Sequence, residues 1–282
     1  MKFALVSDLH VDHYPDNQQF DWHVVRRWTG TDILVIAGNV SGSSNHTMAE
    51  ILLARQAFRC VIFVEGPCEH PNGCWAPAAT ERLRQFAEQH DGIYYLGTGS
   101  GLMIESTLVC GMTGWRHLPA EAAGSVVSDQ GLSEIPWGNH DVGNVGLSTP
   151  VLPDGLSGHH VELLAQQVKG AAADPSIHEI VVVTYAAPHA DAITFTGDHI
   201  WDLEPEVACT AALAPIWSDC LDGGKLTTWC FGRSSLHQDF TDQGVRFISN
   251  PRGYPGQKRS GPYTVQVIDT STVMDEGFEA WA

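Results

Sequence analysis

Five short apolar runs constrain this chain most: Phe3–Val6, Ile33–Ala37, Cys60–Val64, Glu179–Thr184 and Thr227–Phe231. Each is only a strand's length, shows almost no polar alternation and breaks off into glycine or polar residues. Runs of that kind suit strands covered on both faces, because a half-exposed strand would alternate. Further strands are expected at 93–96, 107–112, 245–249 and 263–268. Helices are expected at 20–28, 46–58, 78–90, 158–172 and 204–218, the alanine-rich 46–58 and 158–172 having the clearest 3.6-residue period. The order is that of an α/β domain covering 1–282. Residues 118–157 stand apart, rich in Gly, Ser, Pro, Asp and Asn and without period, and read as a long loop or lid insertion.

Composition narrows the partners. With 33 acidic residues against 15 Lys+Arg the formal net charge is −18. Such a chain lacks the cationic face that phosphate backbones require, so nucleic acid is not expected as a partner. Anionic membrane surfaces are disfavoured for the same reason. No run approaches the roughly 18 apolar residues of a membrane span, and Met1-Lys2 leads straight into a short strand instead of a leader. The seven cysteines form no CxxC pair, and they read as reduced thiols of a cytoplasmic protein.

The turn at the end of each strand carries the chemistry. The first run delivers Ser7-Asp8-Leu9-His10, the second Gly38-Asn39, the third Gly66-Pro67-Cys68-Glu69. After 179–184 comes Tyr185-Ala186-Ala187-Pro188, and after 227–231 comes Gly232-Arg233-Ser234-Ser235. Near the end stands Asn250-Pro251-Arg252-Gly253-Tyr254-Pro255. In this order and spacing the chain resembles the calcineurin-like metallophosphoesterases over nearly its whole length. The family runs D-x-H, G-D, G-N-H-[DE], a strand-end His, then G-H-x-H, and one branch carries N-P-R-G-Y-P. The resemblance implies a two-layer β-sandwich flanked by helices, a four-layer αββα arrangement. It also implies a site for two divalent ions about 3.5–4 Å apart, which hold phosphate and acidify a bridging water.

Only Asp8 and His10 match the family's ligands. Asn39 stands in place of the bridging carboxylate, and Pro67-Cys68 in place of the Asn-His that binds metal and assists the leaving group. Tyr185-Ala186 replaces the strand-end histidines; Arg233 and Ser235 replace the last pair. One carboxylate, one imidazole and an amide do not balance two divalent ions, and each lost ligand commonly costs 10–100-fold in affinity or activity. No cofactor is therefore expected, beyond at most one weakly bound divalent ion at Asp8 and His10.

The substituted cleft suggests a new occupant. Arg233 supplies fixed positive charge across from Asp8, and with Asn39 and Glu69 would bind a small, anionic ligand or substrate. His10, Tyr185 and Cys68 are the candidates for metal-independent acid–base or nucleophilic work. A tolerated small residue at Cys68, and leftover polar groups elsewhere, fit the letters equally well. Gly138-Asn139-His140-Asp141 spells the third motif but lacks a preceding strand. His140, His189 and His237 are further candidates for the cleft, and His70 has the same standing. Two alternatives stand beside the repurposed cleft: a non-catalytic scaffold that uses a protein partner, and a residual single-metal phosphodiesterase or phosphatase.

Overall fold

A computed structural model describes residues 1–70, 76–114, 154–192, 203–218, 224–234, 236–257 and 262–271. Two sheets are present. The first contains β1 (Lys2–Val6), β2 (Ile33–Ala37), β3 (Cys60–Val64), β4 (Ile93–Tyr95) and β11 (Gln266–Asp269), in the order β11-β1-β2-β3-β4. The second contains β5 (Thr98–Ile104), β6 (Thr107–Met112), β7 (Glu179–Thr184), β8 (Leu226–Phe231), β9 (Gln238–Asp242) and β10 (Val245–Ser249), in the order β5-β6-β7-β8-β10-β9. Neighbours β1 to β4 are parallel, as are β6-β7-β8-β10, while β11, β5 and β9 pair antiparallel at the edges.

The unbroken apolar runs now have a cause. Phe3, Leu5, Val35, Ala37, Ile62 and Val64 face Val109, Val181, Val183, Cys230 and Ile248 in a core between the sheets. Their neighbours Ala4, Val6, Leu34, Ile36, Val61 and Phe63 point outward into a second core. That core is closed by α1 (Trp22–Thr29), α2 (Ser44–Ala57) and α3 (Pro77–Gln89). A third core lies on the far face of the other sheet, beneath α4 (Asp154–Ala173) and α5 (Leu203–Ser218). The result is the expected layered αββα arrangement, with apolar contact on both faces of each central strand.

Local chemistry sets the helix ends. The Asp21 side chain accepts from Val24 N at 3.1 Å and Ser43 Oγ from His46 N at 3.3 Å, each satisfying a donor that the first turn leaves open. Two strands lie outside the sequence expectation, β5 and β9. Both are edge strands, polar or glycine-bearing, held by antiparallel pairing with β6 and β10. The last strand, expected at 263–268, lies at Gln266–Asp269. Most of the expected 118–157 loop lies outside the described residues, and α4 begins within its last four positions. Among the described residues no helix is long and apolar enough to cross a membrane.

Candidate functional site

The turns after β1, β2, β3, β7 and β8 meet at one end of the sandwich, and glycines allow them to approach closely. A Cβ on Gly232 would lie 2.1 Å from Ala37 O, and one on Gly38 would lie 2.6 Å from Tyr185 Cδ2. A Cβ on Gly66 would lie 2.3 Å from Asn39 Oδ1. The Gly232 collision is with backbone, which has nowhere to retreat, and overpacking of this kind costs about 1–3 kcal/mol. Gly232→Ala is therefore expected to lower the urea midpoint while leaving the secondary structure intact by circular dichroism. An unchanged midpoint would mean the β2 and β8 turns are further apart.

The same turns hold strained backbone. Among the described residues six non-glycine positions have positive φ, and four of them are Asp8 (48°), His10 (44°), Asn39 (56°) and Arg233 (53°). For an L residue the left-handed region costs about 1–2 kcal/mol. It persists here because the turns are bolted together: Asp8 N donates to Gly38 O at 2.9 Å and His10 N to Asn39 O at 3.2 Å. On the other side Arg252 N donates to Ser7 O at 2.9 Å, and Gly253 N to Asp8 O at 2.8 Å. Strain gathered at one cleft is a mark of a functional site.

Asn39 is the hub of the cluster. Its Nδ2 donates to Asp8 Oδ1 at 3.0 Å and to Tyr185 OH at 2.8 Å, and its Oδ1 accepts from Cys68 N at 3.1 Å. Glu69 fastens the loops beneath: Oε1 accepts from Val40 N at 2.5 Å and Oε2 from Gly66 N at 2.8 Å. His10 lies flat on Tyr254, with ring centroids 3.9 Å apart, and its Nδ1 is 4.0 Å from Cys68 Sγ. The turns thus bring Asp8, His10, Asn39, Cys68, Glu69, Tyr185 and Arg233 to the same end of the sandwich. Tyr254 is an addition to the sequence candidates. Its N-P-R-G-Y-P turn is the signal that could have found it, but by resemblance that turn marks the fold and carries no ligand.

Burial governs the protonation of these groups. The Asp8 carboxyl is pushed up to about 7 by loss of solvent, against the pull of Ser7, Asn39 and the Arg233 guanidinium and backbone N–H. Its Oδ2 is buried without a well-formed hydrogen bond. Burial likewise raises Glu69 to about 8, despite its two backbone donors. His10 is driven the other way, to about 3, by burial and then by the charge of His13. Tyr185 is held well above the usual phenol value by burial and by Asp8. At neutral pH the cleft thus presents a neutral imidazole at His10, a neutral phenol at Tyr185, the Asp8 carboxyl near its midpoint and the Arg233 guanidinium.

This donor set does not fit a pair of divalent ions. The Asn39 amide points its Nδ2 at Asp8 and Tyr185, and its oxygen is engaged by Cys68 N. The charge that acts on Asp8 from the turn after β8 is the Arg233 guanidinium, a cation and no ligand for a metal ion. Among the described residues no group of three or more His, Cys, Asp or Glu side chains is placed to hold a metal ion.

Other sequence candidates are engaged elsewhere. His189 donates or accepts with Asp242 Oδ2 at 3.1 Å, accepts from Asp191 N at 3.0 Å, and packs among Trp217, Phe240 and Phe247 in the far core. His237 is exposed, with Nδ1 2.9 Å from Ser249 O. His70 lies buried beside Glu65, its Nε2 3.3 Å from the carboxylate and its Nδ1 accepting from Ala76 N. His140 and Ser235 lie outside the described residues.

No family model matches the chain, and no curated protein matches it in sequence. Solved structures do resemble it. A phosphopantetheinyl hydrolase from Mycobacterium tuberculosis aligns with 16% identity and a TM-score of 0.61, over 100% of this chain and 98% of that one. A dimetal phosphatase from Danio rerio aligns with 11% identity and a TM-score of 0.48, over 88% and 86%. GAP50, the anchor in the inner membrane complex of Plasmodium, aligns with 11% identity and a TM-score of 0.47, over 95% and 77%. At such identities it is the fold that is shared, and the first of these shows it: two helix-flanked sheets of the metallophosphoesterase type.

Proposed function

We propose that this chain keeps the metallophosphoesterase fold with a degenerate dimetal site, and that its cleft binds a small anionic molecule in place of hydrolysing phosphate with two ions. The observation that carries this reading is Arg233, held in a left-handed turn beside the buried Asp8. A guanidinium supplies the positive charge that a metal would otherwise bring, and its forked donors match a phosphate or carboxylate. Tyr185 OH, accepting from Asn39, keeps its own proton for such a ligand. His10, with its pKa near 3, would serve as a neutral partner and a poor proton carrier. Any metal-independent proton transfer in the cleft would fall to Asp8, with Cys68 as the candidate nucleophile. A small molecule is the favoured partner, with nucleic acid and membrane disfavoured by the charge of −18.

Calorimetric titration with inorganic phosphate, in metal-free buffer and again with added manganese, tests the reading. Phosphate binding that does not need the ion is expected. Stoichiometric uptake of two manganese ions, with aryl phosphate turnover that a chelator abolishes, would overturn it.

A further inference from the structure

A cavity of about 540 Å³ opens next to the cleft, lined by Tyr14, Gln18, Arg252, Tyr254, Gln257 and Tyr263 together with two prolines and a glycine. That volume is in the range of small-molecule sites. Tyr254 belongs to both spaces: its ring lies on His10 and also lines the cavity. The connection is rigid, since Arg252 and Gly253 are bonded through their backbone to Ser7 and Asp8. In a chain with net charge −18, none of the described residues lining this cavity is acidic. Among the described lining residues the charged one is Arg252, whose side chain lies over the Tyr14 ring at 3.5 Å and the Phe20 ring at 4.3 Å.

Tyrosine rings and prolines form flat apolar walls, while the Gln18 amide and the Gln257 Nε2, whose Oε1 accepts from Tyr254 N at 3.0 Å, add polar groups that can read a polar edge. We infer that this cavity takes a flat aromatic group of the ligand, joined by a short linker to the anionic end that Arg233 holds. The occupant is thus an aryl or nucleoside phosphate, or a carboxylate of the same plan. The inference rests on the anion-binding reading of the cleft and extends it to the rest of the ligand.

The test compares three probes by calorimetry in metal-free buffer: adenosine 5′-monophosphate, ribose 5-phosphate and inorganic phosphate. The first two share the ribose 5-phosphate and differ at C1′, where one carries the aromatic base and the other a hydroxyl. The monophosphate is expected to bind at least tenfold more tightly than the sugar phosphate, and Tyr263→Leu to remove most of that preference. Should that variant fail to fold, Gln257→Glu at an exposed position does the same work, by setting a carboxylate against the base. Equal affinity for nucleotide and sugar phosphate, or a preference untouched by the folded variant, overturns the aromatic subsite and leaves the anion site standing. Absence of binding for all three overturns both.

Discussion

Replacing Arg233 by alanine is expected to weaken phosphate binding at least 100-fold. Removing one side of a desolvated charge pair typically costs 2–5 kcal/mol, and 2.7 kcal/mol corresponds to about a hundredfold. Arg233→Lys is expected to lose about tenfold, because an ammonium keeps the charge but not the two parallel donors. Arg233→Gly separates binding from strain. It should lose affinity as the alanine variant does, yet gain about 1 kcal/mol of stability by relieving a backbone φ of 53°. Titration with phosphate, followed by urea unfolding of the same variants, checks all three. Affinity unchanged in Arg233→Ala would remove the anion site from this cleft.

Asp8→Asn is expected to stabilise the protein at pH 8, a result opposite to that of most buried substitutions. Burial holds the Asp8 carboxyl at about 7 in the folded chain, against an ordinary value of 3.8. A carboxyl raised in this way favours folding below its unfolded value. That contribution declines as pH rises, and it is gone once pH passes the folded value. At 1.36 kcal/mol per unit the ionised group disfavours folding by about 4 kcal/mol at pH 8. Asparagine removes this cost, keeps an oxygen for the Asn39 Nδ2 donor and tolerates a φ of 48° better than aspartate's other replacements. Lost attraction to Arg233 offsets part of the gain, so about 2–3 kcal/mol is the expected net stabilisation. Urea midpoints at pH 4, 6 and 8 in the presence of a chelator check the sign: the gain should be largest at pH 8 and close to zero at pH 4. A variant less stable than the parent at pH 8 would refute a raised carboxyl in the cleft.

Both expected results bear on why strained backbone is kept at this cleft. Left-handed turns at Asp8, His10, Asn39 and Arg233 are a standing cost, and at position 233 glycine would avoid the backbone part of it. Stability given up this way fits a cleft with work to do, since function and maximal stability commonly pull apart. Glu69 fits the same pattern, buried and raised to about 8 while it fastens the β2 and β3 turns through Val40 and Gly66.

The order of letters carries the α/β succession of strands and helices, while the two-sheet layering is legible only through the resemblance of the strand-end turns. Short apolar runs without alternation suit strands covered on both faces, and in parallel neighbours the turn after each strand lies at the same edge. Edge strands Thr98–Ile104 and Gln238–Asp242 are not legible there, because their polar, glycine-bearing letters become strands only by pairing with Thr107–Met112 and Val245–Ser249. The letters also place His189 and His237 near the right turns. Packing instead sets His189 with Asp242 among aromatic rings and leaves His237 exposed. The stacking of Tyr254 on His10, the protonation of Asp8 and Glu69, and the cavity beside them belong to the assembled fold. These depend on distance and loss of solvent, quantities that arise only when segments remote in the chain are brought together.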